Sequence, residues 1–475
     1  MTLSVPVPGR LSLLAAALPL LTPASAFAAE VDGSALSPWW GLPFAGILLS
    51  IALLPLLTPS FWHHHYGKVS AGWALAFLLP FAATFGAAPA GAQLLHALLG
   101  EYVPFILLLT ALFVVAGGIH IRGNLHGTPK LNTGILAIGA LLASLMGTTG
   151  ASMLLIRPLI RANDNRRHRV HVIVFFIFIV SNVGGSLTPL GDPPLFLGFL
   201  QGVDFFWTAR NILPETLFIV GVLLALFHWL DRWYYRKEGV LPSDPTPDTR
   251  GIRFEGAANF WLLLGIVLLV LLSGIWKSPI SFDVHGTELR LPGLVRDIGL
   301  VAVTLLSLRV TARRVHADNQ FSWAPMAEVA KLFAGIFLTI VPVIAMLKAG
   351  THGPFGALVR AVTRPDGLPD PAMYFWATGM LSSFLDNAPT YLLFFNTAGG
   401  DAQSLMSTHA TTLAAISAGA VFMGANTYIG NAPNLMVKAI AESRGVRMPS
   451  FFGYMMWSGA ILVPLFVLST FIFFR

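Results

Sequence analysis

The sequence predicts an all-α polytopic membrane protein made of two inverted repeats, each with a re-entrant hairpin and a broken transmembrane helix. Of the 475 residues, 55% are hydrophobic and 11% are charged, which leaves too little polar surface for a soluble globule. Apolar stretches long enough to cross a membrane recur along the chain. Several of them are interrupted by glycine, proline and polar residues, and similar interruptions occur in both halves.

Residues 1–28 have the three parts of a signal peptide. Arg10 ends a basic n-region, residues 11–21 form an apolar core, and Ala26, Phe27 and Ala28 form a small-x-small cleavage pattern. The apolar core is too short to span a membrane comfortably, although an uncleaved anchor is the alternative. In both cases the segment that contains Glu30 is expected outside the cytoplasm.

The uninterrupted apolar spans and the basic loops between them predict the topology. The loops on alternate sides differ in their content of lysine and arginine, so the positive-inside rule places the mature N-terminus outside a bacterial-type inner membrane. Prolines mark residues 231–256 as a cytoplasmic linker between an N-terminal half, residues 29–230, and a C-terminal half, residues 257–475. The predicted spans are residues 41–57, 69–86, 103–120, 211–230, 257–276, 298–308 with their flanks, 329–346 and 451–474.

Two apolar stretches are broken in the middle and are predicted to be re-entrant hairpins. Residues 133–160 are interrupted at 147–150, and both flanks are basic, so this hairpin is expected to enter and leave on the cytoplasmic side. Residues 374–395 are interrupted at 386–389, and the following loop to residue 411 has no lysine or arginine. The second hairpin is therefore expected to enter from outside.

Two further stretches, residues 170–200 and 412–440, are predicted to be broken helices. Their interruptions contain Leu-Gly-Asp-Pro-Pro at residues 190–194 and Ile-Gly-Asn-Ala-Pro at residues 429–433. Irregular backbone at membrane depth is tolerated only where it lines a cavity inside protein. Broken helices in corresponding halves indicate the binding site of a secondary transporter that works by alternating access.

The interruptions contain two carboxylates, Asp192 and Asp386. A charged group at membrane depth is unfavourable unless it is paired or binds an ion. Asp192 is followed by Pro193, a pattern typical of a helix N-cap, and Asn431 fits the same position in the second half. Asp386 is less well explained by capping, so it is predicted to be the group that alternates between a proton and a cation. Asp386→Asn is expected to abolish Na⁺-induced proton release, and Asp192→Asn to impair it less.

A hard cation such as Na⁺ is bound by several oxygens, which carboxylates, amides, hydroxyls and unwound backbone supply. The proposed metal ligands are Asp386, Asp192, Asn182 and Asn426, and Na⁺ and H⁺ are the expected transported ions, with no cofactor. The interruptions contain no lysine or arginine, which favours a cation over a carboxylate substrate. The full predicted ion or substrate site comprises Thr148, Thr149, Ser181, Asn182, Thr188, Asp192, Ser383, Asp386, Asn387, Asn426, Thr427 and Asn431.

Other function classes find less support in the residues. The chain has no cysteine and no Gly-Lys-Ser/Thr phosphate motif in its glycine-rich breaks, and we find no catalytic constellation, so an enzyme is not expected. The net charge of +7 lies in short clusters between apolar segments, which predicts membrane lipid and small ions as partners rather than nucleic acid. The three histidines from His63 to His65 are expected in a cytoplasmic loop rather than a metal site. An ion channel stays open as an alternative.

Three stretches resemble the signature breaks of the ion transporter superfamily, which includes citrate transporters, arsenite permeases and NhaD-type sodium/proton antiporters. They are residues 181–194, 385–390 and 429–434. The resemblance implies a dimer, Asn182 and Asn426 as central site residues, and hairpin tips at residues 148–150 and 386–387 that close over the ion. The dicarboxylate branch has Ser-Asn-Thr in both halves, whereas residues 181–183 and 425–427 each lack one hydroxyl. We therefore expect a Na⁺/H⁺ antiporter, with a citrate or dicarboxylate symporter and an arsenite or oxyanion efflux permease as alternatives.

Overall fold

A computed structural model describes residues 32–123, 125–241, 249 and 251–475. The predicted signal peptide and residues 242–248 and 250 of the predicted linker lie outside these ranges. In the described part, eight helices are long and apolar enough to cross a membrane, and a pair of helices joined at a bend of 41° makes a ninth span. The prediction of an all-α polytopic membrane protein is confirmed.

The first half contains three spans, a hairpin, a broken helix and a final span. The third span, Ala87–Gly117, has a π-helical turn at His96–Tyr102. We call Pro129–Met146 and Thr148–Ala162 the first hairpin, and Val170–Ile179 and Pro193–Leu200 the first broken helix. The elements are Pro38–Gly41, Leu42–Leu57, Pro59–Phe85, Ala87–Leu95, His96–Tyr102, Val103–Gly117, Pro129–Met146, Thr148–Ala162, Val170–Ile179, Val183–Gly185, Pro193–Leu200, Trp207–Asn211 and Leu213–Glu238.

The second half repeats this order. Its third span is the bent pair Ala324–Thr339 and Val341–Lys348. We call Pro371–Phe384 and Asn387–Thr397 the second hairpin, and Ala410–Met423 and Ala432–Ser443 the second broken helix. The elements are Ala258–Ile275, Leu291–Val310, Arg313–Asp318, Ala324–Thr339, Val341–Lys348, Gly350–His352, Gly356–Ala361, Pro371–Phe384, Asn387–Thr397, Ala402–Met406, Ala410–Met423, Gly424–Asn426, Ala432–Ser443 and Phe451–Phe473.

Equivalent hydrogen bonds fix the register of the repeat. Ser144 Oγ donates to the Gly184 carbonyl at 2.6 Å, and Ser383 Oγ donates to the Met423 carbonyl at 3.1 Å. The Thr188 and Thr427 hydroxyls donate to the carbonyls of the same two serines. From the hairpins through the final spans, equivalent residues of the two halves lie 239 positions apart, as Asn431 and Asp192 do. The hairpins and broken helices therefore repeat without insertion or deletion.

The number of crossings gives the two repeats opposite orientation. After the final span of the first half, Leu213–Glu238, three membrane-length segments precede the second hairpin. They are Ala258–Ile275, Leu291–Val310 and the bent pair. The first broken helix and the final span Leu213–Glu238 add two crossings to these three, so five crossings separate the two hairpins. Because five is odd, the second hairpin begins on the opposite side of the membrane from the first. Inverted repeats of this kind are a common architecture of secondary transporters.

The two halves exchange their packing partners. The first two spans of the first half pack on Ala324–Thr339, and the first two spans of the second half pack on Val103–Gly117. In the centre, Thr148–Ala162 of the first hairpin packs on Ala432–Ser443, and Asn387–Thr397 of the second hairpin packs on Pro193–Leu200. The broken helices are enclosed by this arrangement: all residues of the first from 171 to 179 are buried. Enclosure by protein is what irregular backbone at membrane depth requires.

Contacts between loops show which helix ends share a side. We call the side with Arg122, Arg166 and Arg236 the basic side. There, strand His120–Arg122 pairs antiparallel with Arg253–Glu255, so two loops that are distant in sequence meet. At the other side, Ser281–Val284 pairs with Thr287–Arg290, and the turn between these strands lies near Asp32 in a shared cavity. These pairings place the loops on the sides of the membrane that successive crossings of the spans require.

The structure differs from the sequence prediction in four local features. The third span begins at Ala87 rather than at residue 103. The second span begins at Pro59, so the three histidines lie in its first turns rather than in a loop. The final span of the first half extends to Glu238, well into the predicted linker. The third span of the second half bends at residue 340, where Pro342 begins a new helix and lacks the N–H that an uninterrupted helix would use.

Candidate functional site

The candidate site lies where the two broken helices and the two hairpin tips meet. Asp192 precedes the helix Pro193–Leu200, and Asn431 precedes Ala432–Ser443. Close backbone approach shapes the loops between the half-helices, because a Cβ on Gly191 would lie 2.1 Å from the Gly185 carbonyl oxygen. The first hairpin turns at Gly147, whose φ of +82° favours glycine. Its next residue, Thr148, donates its backbone N–H to the Gly191 carbonyl at 2.8 Å.

Asp192 is the side chain on which these four elements converge. It is 1% exposed. Its Oδ1 accepts from Thr148 Oγ1 at 2.9 Å and from Asn431 Nδ2 at 3.2 Å. Its Oδ2 accepts from Asn387 Nδ2 of the second hairpin. The carboxylate thus connects one hairpin tip from each half with the second broken helix.

Asp192 occupies the N-cap position but does not cap its helix through its side chain. The two residues that follow are Pro193 and Pro194, which have no N–H to donate. Its carboxylate is therefore free to bond to the hairpin tips. The expectation that Asp192 is explained by capping is wrong for its side chain, and the missing N–H groups are the reason.

Asp386 is instead the capping carboxylate. Its Oδ1 accepts the N–H of Ala388 at 3.0 Å at the start of Asn387–Thr397. The side chain is half-buried. The expectation that Asp386 is the acid less explained by capping is therefore wrong. The residue after Asn387 retains its N–H, which gives this carboxylate a local partner that Asp192 lacks.

Asn182 links the two broken helices directly. Its Nδ2 donates to the Ile177 carbonyl and to Asn434 Oδ1, each at 2.8 Å, and its Oδ1 accepts from Asn431 Nδ2 at 3.3 Å. Asn434, which the sequence analysis missed, donates in turn to the carbonyls of Gly424 and Thr427. A signal for it was present: the equivalent position of the first half is Leu195, so an asparagine there breaks an apolar pattern.

Asn426 is not the equivalent of Asn182. The register of the repeat places Asn426 opposite Leu187, and Asn182 opposite Val421. Asn426 Nδ2 donates to Ser383 Oγ at 2.9 Å, whereas the side chains that bond to the Asp192 carboxylate in the described structure are Thr148, Asn387 and Asn431. Asn182 and Asn426, which the resemblance gave as the two central residues, are therefore not equivalent positions of the repeat: they are 244 residues apart, whereas the motifs at residues 190–194 and 429–433 have the offset of 239.

The remaining predicted residues shape the loops, join the two broken helices or line the cavity. Thr188 and Thr427 hold the loop backbones in shape: each bonds to a serine carbonyl of its hairpin and accepts a backbone N–H two residues on at 3.2 Å. The Ser181 hydroxyl shares a bond of 2.8 Å with Ser152, and its carbonyl accepts from Asn431. Thr149 lines the cavity described next.

A cavity of about 120 Å³ adjoins the site. The third span of each half lines it with residues from its basic-side part. Its polar lining comprises Thr148, Thr149, Asp192, Asp386 and Asn431, and no lysine, arginine or histidine belongs to it. The other walls are apolar, with Leu112, Phe113, Met326, Phe333 and Met436 among them. Two buried amide oxygens at the hairpin tips and loops, Asn387 Oδ1 and Asn426 Oδ1, have no partner in the described part of the chain. Amide oxygens that have no donor, together with the carboxylate oxygens of the site, suit a hard cation.

A larger cavity of about 700 Å³ lies toward the opposite side. It is lined by the outer ends of the same third spans, with His96, Glu101 and Lys348, and by Gln201 and Asn396. Gln201 Nε2 donates to Glu101 Oε1 at 3.2 Å. The helices Pro193–Leu200 and Asn387–Thr397 separate the two cavities, since Asp192 and Asp386 lie at their start and Gln201 and Asn396 at their end.

Comparisons with known proteins agree with this architecture. The model of a family described as "Putative citrate transport" matches residues 33–474. A "46 kDa membrane protein" of Mycobacterium leprae is 24% identical over 330 residues, which are 67% of this chain and 71% of the relative. An "Uncharacterized transporter" of Mycobacterium tuberculosis is 24% identical over 367 residues, 72% of this chain and 78% of the relative. A matching transporter of Mycobacterium bovis has the same identity and coverage.

Proposed function

This chain belongs to the citrate transport family, and we propose that it is a secondary active transporter that exchanges Na⁺ for H⁺ by alternating access. The observation that carries the proposal is the position of Asp192. It is a buried carboxylate at the junction of both hairpins and both broken helices, and it faces a cavity whose lining contains two acids and no basic residue. Such a site attracts a cation and repels a multiply charged anion.

The proposed exchange uses one carboxylate for two alternative ligands. With a proton on Asp192, the Thr148, Asn387 and Asn431 side chains hold the neutral group in place. With Na⁺, the ion is coordinated by Asp192 and by oxygens that have no donor. One of these is Asn387 Oδ1, which belongs to the amide that already bonds to Asp192. Because both ligands need the same carboxylate, binding of one displaces the other, which is the requirement for antiport.

Alternating access follows in this proposal from the two cavities. The smaller one leads from Asp192 toward the basic side, and the larger one lies beyond two short helices toward the opposite side. Movement of the hairpins and broken helices relative to the third spans would transfer access from one cavity to the other. The transported ions are the partners, and no cofactor takes part.

We propose that the protein resides in a bacterial-type inner membrane with the basic side in the cytoplasm and the mature N-terminus outside. The basic ends of the helices, at residues 122, 166–169, 232–237 and 309–314, support this orientation. A homodimer is proposed from the superfamily resemblance.

Cotransport of citrate or another dicarboxylate with a cation is the second candidate, and the description of the matching family favours it. Against it, the lining of the site cavity offers a carboxylate anion no cationic side chain. Hydroxyls and the N-terminal ends of Pro193–Leu200 and Asn387–Thr397 would have to bind the anion, together with a cation. Efflux of arsenite or another oxyanion would meet the same obstacle.

Purified protein in vesicles tests the proposal. Vesicles with an acidic interior receive external Na⁺, and a pH-sensitive dye reports the lumen, while K⁺ and valinomycin clamp the voltage. We expect lumenal alkalinisation that saturates with Na⁺, has a fixed stoichiometry and is absent from protein-free vesicles. Uptake of labelled citrate without Na⁺/H⁺ exchange would replace antiport by the second candidate, and Na⁺ flux without proton coupling would indicate a channel.

A further inference from the structure

Three arginines lie together at the basic-side end of the first hairpin. Arg157 and Arg161 are one turn apart on Thr148–Ala162, so they share a face of that helix. Arg444 follows Ala432–Ser443, which packs on the same helix. Its charge lies close enough to act electrostatically on both hairpin arginines. We call Arg157, Arg161 and Arg444 the arginine cluster.

The cluster has more N–H donors than acceptors. Arg157 Nε and Nη1 and Arg161 Nε are buried and have no hydrogen-bond partner in the described residues. The bonds that these two side chains do form are long or go to neutral groups: Arg157 Nη2 to Gln320 Oε1 at 3.4 Å, and Arg161 Nη2 to the Ile121 carbonyl at 3.1 Å. Asp164 is close enough to offset part of the charge of Arg161. Buried charged donors without acceptors are unfavourable, and like charges in proximity add to this.

The cluster lies on the basic side of the site cavity, one helical turn beyond a residue that packs on the cavity wall. Met153, one turn before Arg157 on the same helix, packs with Phe113 and Met326. Both of these residues line the cavity. The fold alone does not demand a charge at this position, because the equivalent residue of the second hairpin is Asn396, which bonds to the carbonyl of its own helix at 2.8 Å.

We propose that the arginine cluster binds an oxyanion, through its phosphate or carboxylate oxygens, at the basic-side end of the first hairpin, next to the transport cavity. Arginine donates paired N–H groups to such oxygens, so one anion would satisfy the orphaned donors of both hairpin residues. The anion would also neutralise positive charge next to the cavity that otherwise repels cations on their way to Asp192. That second consequence rests on the proposed cation transport, whereas the binding site does not. A free anion and the phosphate of a lipid headgroup offer the same chemistry.

Calorimetry on purified protein in nanodiscs of neutral phosphatidylcholine tests the free-anion source, with inorganic phosphate and citrate as the two probes. We expect saturable binding that is about tenfold or more weaker in the Arg157→Gln/Arg161→Gln variant, since two charge-assisted contacts are lost. Arg447→Gln is the matched control, because Arg447 is exposed at the same helix end. Its affinity should equal that of the unmodified protein.

Nanodiscs that contain phosphatidylglycerol test the lipid source. A rise in unfolding temperature over phosphatidylcholine that the double variant loses and the control keeps would identify a headgroup as the ligand. No binding of either probe and no lipid-dependent difference would overturn the proposal, as would equal responses of the double variant and the control. In anion-free phosphatidylcholine the double variant should unfold at or above the temperature of the unmodified protein, because it removes unpaired charge; a large fall would mean that the arginines are structural. Failure of Na⁺/H⁺ exchange with intact anion binding would refute the proposed function alone.

Discussion

At the scale of single residues, the neighbours of a carboxylate decide what it does. Asp192 and Asp386 both precede short helices at the centre of the protein. Two prolines after Asp192 remove the N–H groups that would bind it, and its oxygens bond to Thr148, Asn387 and Asn431 instead. Asp386 has the N–H of Ala388 available and caps its helix. An Asp-Pro pattern indicates side-chain capping only where the next residues have N–H groups to donate, and Pro193 and Pro194 have none.

Gly191 should be among the least replaceable residues of the site. A Cβ there would lie 2.1 Å from the Gly185 carbonyl oxygen, a backbone atom that cannot move without displacing the loop that holds Asp192. We expect Gly191→Ala to reduce the yield of monodisperse protein strongly and to lower its unfolding temperature. Gly221→Ala, in a helix with no atom within 4 Å of the added methyl, is the control and should be tolerated. A fully stable Gly191→Ala protein would show that this close approach is not required.

At the scale of elements, the two hairpins are anchored differently at their bases. Arg166 Nη1 and His171 Nε2 lie 2.6 and 2.8 Å from Asp231 Oδ1, and Asn132 Nδ2 donates to its Oδ2 at 2.9 Å. Arg166 also pairs with Glu238 at 3.2 Å, and the side chains of Arg166, His171, Asp231 and Glu238 are each at most 2% exposed. This network joins the first hairpin and the first broken helix to the final span. The equivalent residue of Asp231 in the second half is Thr470, an uncharged group.

Removal of Asp231 should therefore affect stability far more than removal of its counterpart. Asp231→Ala leaves Arg166 buried without its closest partner, and breaking a buried ion pair in this way costs about 3–5 kcal/mol. Thr470→Ala removes a hydroxyl that accepts from Trp376 at 3.0 Å, which is worth about 1 kcal/mol. Denaturant unfolding of both variants in the same detergent measures the difference. Equal losses would mean that the network does not anchor the hairpin.

At the scale of the whole molecule, the repeat pairs each position of the site with a position 239 residues later, as Asp192 is paired with Asn431. By the same repeat, Arg157 is equivalent to Asn396, and these two residues lie toward opposite sides of the membrane. The site is thus asymmetric in charge although the backbone repeats. Neither acid of the site has an acidic counterpart in the other half, because Asp192 corresponds to Asn431 and Asp386 to Gly147.

Cysteine labelling tests the inverted orientation, because the chain has no cysteine of its own. Arg167→Cys follows the first hairpin and Gln403→Cys follows the second, and both positions are exposed. An impermeant thiol reagent added outside intact cells should label Gln403→Cys and reach Arg167→Cys only after the membrane is permeabilised. Labelling of both in intact cells would contradict the opposite orientation of the hairpins.

Sequence patterns predicted the elements well and their side-chain partners poorly. Interruptions at residues 147–150 and 386–389 correspond to real hairpin turns, because glycine and Asp-Asn at membrane depth leave little alternative to a break. The register between the repeats was not predictable from the resemblance of Asn182 to Asn426. The motifs at residues 190–194 and 429–433 did have the correct offset of 239 residues, and the bonds of Ser144 and Ser383 to loop carbonyls confirm it. The bend at residue 340 had a signal in Pro342 that a hydropathy window averages away.

The exchange activity of two variants tests the central claim most directly. Asp192→Asn and Asp386→Asn each keep the shape of the side chain and remove its titration, and asparagine remains a good N-cap at position 386. Both proteins are reconstituted in acid-loaded vesicles after size-exclusion chromatography has shown that they are folded. We predict that Asp192→Asn abolishes Na⁺-induced proton release and that Asp386→Asn retains a measurable part of it. Proton release by Asp192→Asn at the rate of the unmodified protein would contradict the account.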